Sequence, residues 1–110
     1  MDQDNRASPR IAVSIRMACA AAEAGLLRLA DLSLGGFMAR GRIRARLGDR
    51  IEGSIRVFAA GAEAEVGVAG EVVRALPDGE ELALGVKILS FSGPAAQAAY
   101  EAFVRELYED

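Results

Sequence analysis

From its eleventh residue the chain alternates side chains with a period of two, and that period decides what it can fold into. Ile11, Val13, Ile15, Met17 and Cys19 fall on one side, with Ala12, Ser14, Arg16, Ala18 and Ala20 opposite. Successive side chains of a strand point to opposite faces, so this run predicts a half-buried strand. Glu23-Ala24-Gly25 is its turn, and Leu26 to Leu32 forms the return strand. Gly35-Gly36 then permits a sharp change of direction, and a third short strand begins over Phe37 to Ala39. Further strands are legible at Ile51–Val57, Ala64–Ala75 and Leu82–Leu89, with Pro77-Asp78-Gly79 as a strong turn signal between the last two. Only after Ser92-Gly93-Pro94 does the period change. Ser92 is a cap candidate, Pro94 is tolerated in a first turn, and Ala96, Ala99, Tyr100, Phe103, Val104 and Leu107 make one helical stripe over about 94–109. Six or seven antiparallel strands on short turns, with one terminal helix packed on them, make an all-β barrel or sandwich.

A length of 110 residues with 52% hydrophobic residues supports one domain and a modest core, aliphatic because Trp is absent and aromatics are 5%. Cys19 is the one cysteine, which rules out a disulfide framework and reads as a buried thiol. No apolar run approaches the ~20 residues a membrane helix needs. The start, Met1-Asp2-Gln3-Asp4-Asn5, is polar and acidic, unlike a secretory signal. A soluble cytoplasmic protein is expected. Residues 1–9 hold no large apolar side chain after Met1, which predicts a flexible N-terminal arm ahead of a barrel spanning 10–110.

Two short motifs carry the chemistry. Arg6-Ala7-Ser8-Pro9-Arg10 offers two guanidinium groups, held out of helix by the proline. Guanidinium forks onto phosphate oxygens or onto guanine O6 and N7, and stacks on bases. Asp31-Leu32-Ser33-Leu34-Gly35-Gly36 places a carboxylate, a hydroxyl and a glycine pair at a strand end. A carboxylate accepts two parallel hydrogen bonds, and the Watson–Crick edge of guanine offers two adjacent N–H donors. Arginines for phosphate and a carboxylate for guanine form a coherent set. The second motif is also good turn chemistry, since Asp and Ser side chains bond to nearby backbone, so Gly36 can serve the turn while Asp31 and Ser33 face a ligand.

RxxxR followed by (D/N)xSxxG resembles the signature of the PilZ domain, a bacterial receptor module for cyclic dimeric GMP. Arg6 and Arg10 match the two motif arginines, and Asp31, Ser33 and Gly36 match the fixed positions of the second. Gly48-Asp49-Arg50-Ile51 looks like the turn opening a middle strand in that family, and Gly70–Arg74 with Gly85–Ile88 like its paired late strands. The resemblance runs from about residue 6 to the end. It implies a PilZ-type β-barrel with a C-terminal α-helix, and Arg6, Arg10, Asp31, Ser33 and Gly36 as the ligand-binding residues. It implies a second-messenger receptor in which nucleotide orders the arm and alters a surface offered to a protein partner. Motility and biofilm regulation, along with pili and transcription, are outputs such a receptor serves. Many members carry a further arginine just before the first motif arginine; here Asn5 stands there, which removes one charge-assisted contact.

Enzyme chemistry is poorly supplied. The chain has no His, a lone Cys and no Gly-rich phosphate loop, so no catalytic residue, metal site or cofactor is expected. Residues 1–50 carry nine arginines against five acids, a balance of +4, while residues 51–110 carry four basic residues against eleven acids, a balance of −7. An anionic ligand is steered to the first half. A pI near 5.0 argues against general nucleic-acid binding. Arg40, Arg42, Arg44 and Arg46 recur every second residue, which reads as a solvated edge, a docking surface for an acidic partner or auxiliary phosphate contacts. Two further readings stand beside the receptor: a PilZ-like protein–protein adaptor without nucleotide, and a nucleic-acid binder using the Arg40–Arg46 stripe.

Overall fold

The computed structural model describes residues 11–108. Six strands run in chain order, β1 (Ile11–Ala18), β2 (Leu26–Ser33), β3 (Gly36–Gly41), β4 (Arg50–Ala59), β5 (Ala62–Asp78) and β6 (Glu81–Phe91), followed by helix α1 (Pro94–Tyr108). Every pairing is antiparallel, and the order β1-β2-β3-β6-β5-β4 closes on itself as a barrel. The alternating runs become strands because closure gives each one an inner wall, where Met17, Leu27, Leu29, Leu32, Phe37, Ile55, Val66, Val72, Leu84 and Val86 are almost completely buried. Each such side chain contributes roughly 1.5–3 kcal/mol. The helical stripe packs as its period implied: Ala96, Tyr100 and Val104 are buried, while Ala99, Phe103 and Leu107 lie against the same core. Cys19 is a buried free thiol. The arm at residues 1–9, with Arg6, and the neighbouring Arg10 lie outside the described residues.

Closure rests on a short seam. Strand β1 meets β4 only at Met17 opposite Ile55 and Ala18 opposite Ser54. Gly53 is the reason they come so close. A Cβ there would fall 2.3 Å from the carbonyl oxygen of Ala18 and 2.5 Å from Cε of Met17. The methyl end of Met17 can give way, but the backbone oxygen moves only with the strand.

Strand direction sorts the loops between two ends. The starts of β1, β3 and β5 and the ends of β2, β4 and β6 share one end, which α1 joins through its contacts with β4, β5 and β6. There the N–H of Ala60, in the two-residue β4–β5 turn, donates to the Glu106 carboxylate at 2.8 Å. The opposite end carries the 42–49 connection. Because β3 stops at Gly41, Arg40 to Arg46 do not form one strand face, and because the barrel is closed, β3 is not an edge.

Four slips interrupt the regular ladders, two of them between β5 and β6, at Ala69/Gly70 and Val72/Arg74. The ladder between β1 and β2 slips by one residue between Ala12 and Ile15, and that between β2 and β3 slips between Leu29 and Asp31. Each slip is a β-bulge, which bends the strand and re-aims its side chains.

Gly53→Ala should destabilise the barrel by about 1–3 kcal/mol through forced separation of β1 from β4. Urea unfolding checks it, and a stability equal to wild type would mean the seam tolerates a side chain.

Candidate functional site

The second motif sits where β2 turns into β3, and the bulge in β2 sets its orientation. Before the bulge, odd-numbered residues face the core, with Leu27 and Leu29 buried and Leu26, Arg28 and Ala30 exposed. An unbroken alternation would send Asp31 inward, where a carboxylate is costly to bury. Ala30 is the extra residue opposite β3, and beyond it the phase reverses: Leu32 is fully buried and Asp31 is only half-buried. The apolar spacing Leu27, Leu29, Leu32 is the sequence signal of this reversal.

Ser33 and Gly36 are fixed by packing. Ser33 is 5% exposed, and its hydroxyl donates to the Gly36 carbonyl at 3.3 Å, closing the turn. Its own carbonyl accepts a 2.6 Å hydrogen bond from the Tyr100 hydroxyl on α1. Tyr100 is wholly buried, with its ring tilted 45° against Phe91 at a centroid distance of 5.3 Å. The helix therefore reaches through the core to hold the motif's backbone. In the sequence Tyr100 is one member of the apolar stripe; its phenol is the signal of a further role, since a buried tyrosine hydroxyl needs a partner. Gly36 does not take the left-handed conformation that a direction-changing glycine needs. It lies inside β3 opposite Lys87, and a Cβ there would fall 2.3 Å from the carbonyl oxygen of Val86. Its place in the motif is a close approach to β6. The N–H of Ile88 also donates to the Gly35 carbonyl at 2.9 Å, tying the turn to β6 again.

From Asp31 a single row crosses the outside of the barrel. Asp31 registers with Met38, Met38 with Gly85, and Gly85 with Arg74. Arg74 is exposed, and Gly85 puts no side chain between it and Met38. A carboxylate and a guanidinium thus flank a low, open stretch of sheet. Arg74 carries no site signal in one dimension, because only the register of three strand pairs brings it into line with Asp31. Arg6 and Arg10 lie outside the described residues, yet the chain enters β1 at Ile11, whose register partner is Leu32. The first motif is therefore attached beside the second.

Ion pairs absorb much of the charge asymmetry between the two halves of the chain. Arg28 grips Glu81 with two bonds of 2.7 and 3.1 Å, Arg40 meets Asp78 at 3.2 Å, and Arg42 pairs with Glu80 and Glu23. The hydrogen bond from Arg28, and then its charge, lowers the Glu81 carboxyl below its ordinary value and raises the guanidinium in return. These pairs are exposed and each is worth little. Arg42, Arg44 and Arg46 lie at the barrel end opposite the Asp31–Gly36 turn, away from any ligand held there. Among the described residues, no three His, Cys, Asp or Glu side chains gather to hold a metal ion, and no helix is long and apolar enough to cross a membrane.

The family profile described as PilZ domain matches residues 4–106. None of the curated proteins compared with the chain matches it. Among solved structures, the Bacillus subtilis inhibitor of motility MotI/DgrA superposes with a TM-score of 0.73 at 14% identity, over 98% of this chain and 53% of its own. The present chain thus spans about half of that protein. The PilZ domain of YcgR from Escherichia coli, solved with c-di-GMP, superposes with a TM-score of 0.63 at 17% identity, over 96% of this chain and 93% of its own. At these identities the two likenesses show the fold.

Tyr100→Phe should cost about 1–3 kcal/mol, because the buried Ser33 carbonyl loses its donor. Amide exchange should accelerate across Ser33 to Phe37 more than in β4. Ser33→Ala should cost less, since its hydroxyl bond is long. Unchanged protection of the turn in Tyr100→Phe would show that the helix does not hold it.

Proposed function

The chain belongs to the PilZ domain family, and from that premise we propose that it is a receptor for cyclic dimeric GMP. The observation that carries this reading is the junction of the two motifs: Ile11 stands opposite Leu32 and Ala12 opposite Asp31, so the segment bearing Arg6 and Arg10 enters the barrel beside the Asp31–Gly36 turn. In this reading Arg6 and Arg10 bind phosphates and guanine faces, and Asp31 accepts from a guanine edge. Ser33 and Gly36 serve the site by shaping the turn. Arg74, at the far end of the Asp31 row, adds a second cationic anchor across the open floor at Gly85. The YcgR PilZ domain, solved with this nucleotide, supports the choice of ligand.

Nucleotide binding draws the arm onto the barrel. Each residue fixed costs about 1–2 kcal/mol of backbone entropy. Several charge-assisted bonds, each worth about 1.5–3 kcal/mol, offset the ordering of the few residues around Arg6 and Arg10. The ordered arm then changes the surface offered to a protein partner, which makes the protein a signalling effector and not an enzyme.

Calorimetry should show cyclic dimeric GMP binding with a Kd between nanomolar and micromolar, roughly −8 to −12 kcal/mol. Arg10→Ala should lose about 2–4 kcal/mol of binding and Asp31→Ala about 1–3 kcal/mol, with poorer discrimination for guanine. Arg42→Glu, at the other barrel end, should bind like wild type. Silence at high micromolar nucleotide would replace this reading with that of a nucleotide-independent adaptor.

A further inference from the structure

Helix α1 packs on β4, β5 and β6, yet from its middle it bonds to the end of β2. The Tyr100 hydroxyl donates to the Ser33 carbonyl at 2.6 Å, with Tyr100 fully buried and Ser33 at 5% exposure. A hydroxyl brought into an apolar core without a partner is costly, and so is a carbonyl left there without a donor. Each group satisfies the other, so the bond holds only while helix and turn stay together. The direction of the hydroxyl is set by packing, because the Tyr100 ring lies against Phe91. The helix itself is tied down on both sides of Tyr100. Before it, the N–H of Ser92 donates to the Gly67 carbonyl at 2.9 Å; after it, Glu106 accepts from the N–H of Ala60. The turn is held unevenly. Its β3 side is fixed on β6, through the close approach of Gly36 to Val86 and the bond from Ile88 to Gly35. Its β2 side ends at Ser33, whose own hydroxyl bond is a long 3.3 Å and whose carbonyl depends on the helix. Asp31 stands on that side, two residues before Ser33 along the backbone.

We infer that Tyr100 is a positioning residue for the nucleotide site, and that docking of α1 and binding at the β2–β3 turn strengthen each other through its hydroxyl. The inference rests on the receptor reading above and adds to it an element, the helix, that sets affinity. A site that is competent in only a fraction of molecules has its apparent Kd raised by the inverse of that fraction. Losing the phenol lowers the fraction in which Ser33, and with it Asp31, is held in place. Linkage makes the effect reciprocal: a nucleotide that needs the held turn also disfavours opening of α1. Whatever lifts α1 from the barrel then weakens nucleotide binding without touching Arg6, Arg10 or Asp31.

Hydrogen exchange and calorimetry on the full chain, with cyclic dimeric GMP as the probe, test it. In wild type, saturating nucleotide should slow amide exchange of Tyr100 to Val104 about threefold or more. Tyr100→Phe should weaken nucleotide binding by about three- to tenfold and abolish that slowing. Ile51→Ala, a core change in β4 at the barrel end opposite the turn, should lower the melting temperature at least as much and keep affinity within about twofold. Tight binding without slowing of α1, or wild-type affinity in Tyr100→Phe, overturns the inference and leaves the receptor reading standing. An equal loss of affinity in Ile51→Ala overturns it too, since general loosening of the barrel then explains the effect. No binding by the wild-type chain removes the receptor reading and the inference together.

Discussion

Everything in this fold depends on β1 reaching β4. The other strand pairs form longer ladders, whereas the closing seam is two residue pairs lying over the bare backbone of Gly53. Without the seam the sheet would have two free edges, and the inner faces of β1 and β4 would be open to water. With it, every strand acquires an inside. The position of β1 is thereby fixed at both ends: Ala18 at the seam, and Ile11 opposite Leu32 beside the β2–β3 turn. A glycine chosen by steric exclusion at one end of the barrel thus helps determine where the chain enters at the other.

Much of the fold was legible because barrel strands and the covering helix obey different periods. The runs through Ile15–Cys19, Leu26–Leu32 and Leu82–Ile88 marked strands, and the stripe from Ala96 to Leu107 marked the helix on the correct face. What stayed hidden is what register decides. The bulge at Ala30 breaks the alternation and turns Asp31 away from the core, yet in the sequence it shows only as a three-residue gap between Leu29 and Leu32. In the sequence Gly35-Gly36 marks only a change of direction, whereas Gly36 also allows a close approach to the Val86 carbonyl, fifty residues away in sequence. Arg40 to Arg46 drew attention by their spacing, although β3 ends at Gly41 and the following three arginines belong to a connection. Arg56, Arg16, Arg28 and Arg40 stand side by side across four strands and have no sequence signature, since they meet only when those strands align.

Charge shows the same gap between a one-dimensional and a three-dimensional reading. The basic first half and acidic second half imply that an anionic ligand is steered to the first half. Antiparallel closure instead brings Arg28, Arg40 and Arg42 to Glu81, Asp78 and Glu80 at the β5–β6 turn. These exposed pairs contribute little stability and are screened by salt. Their consequence is subtraction: among the described residues they leave Arg16, Arg74 and Lys87 without an ion pair on the wall, and Arg44 and Arg46 in the 42–49 connection.

Strand β1 is where these features converge. Its first residues continue from the motif arginines, its middle presents Arg16, and its last residues make the seam. It pairs with β4 at one end only, and the bulge between Ala12 and Ile15 bends it locally between the motif arginines and the seam. Its neighbour β2 is held from within the core, since the Tyr100 hydroxyl donates to the Ser33 carbonyl and pins the β2–β3 turn to the helix beside the point where β1 begins.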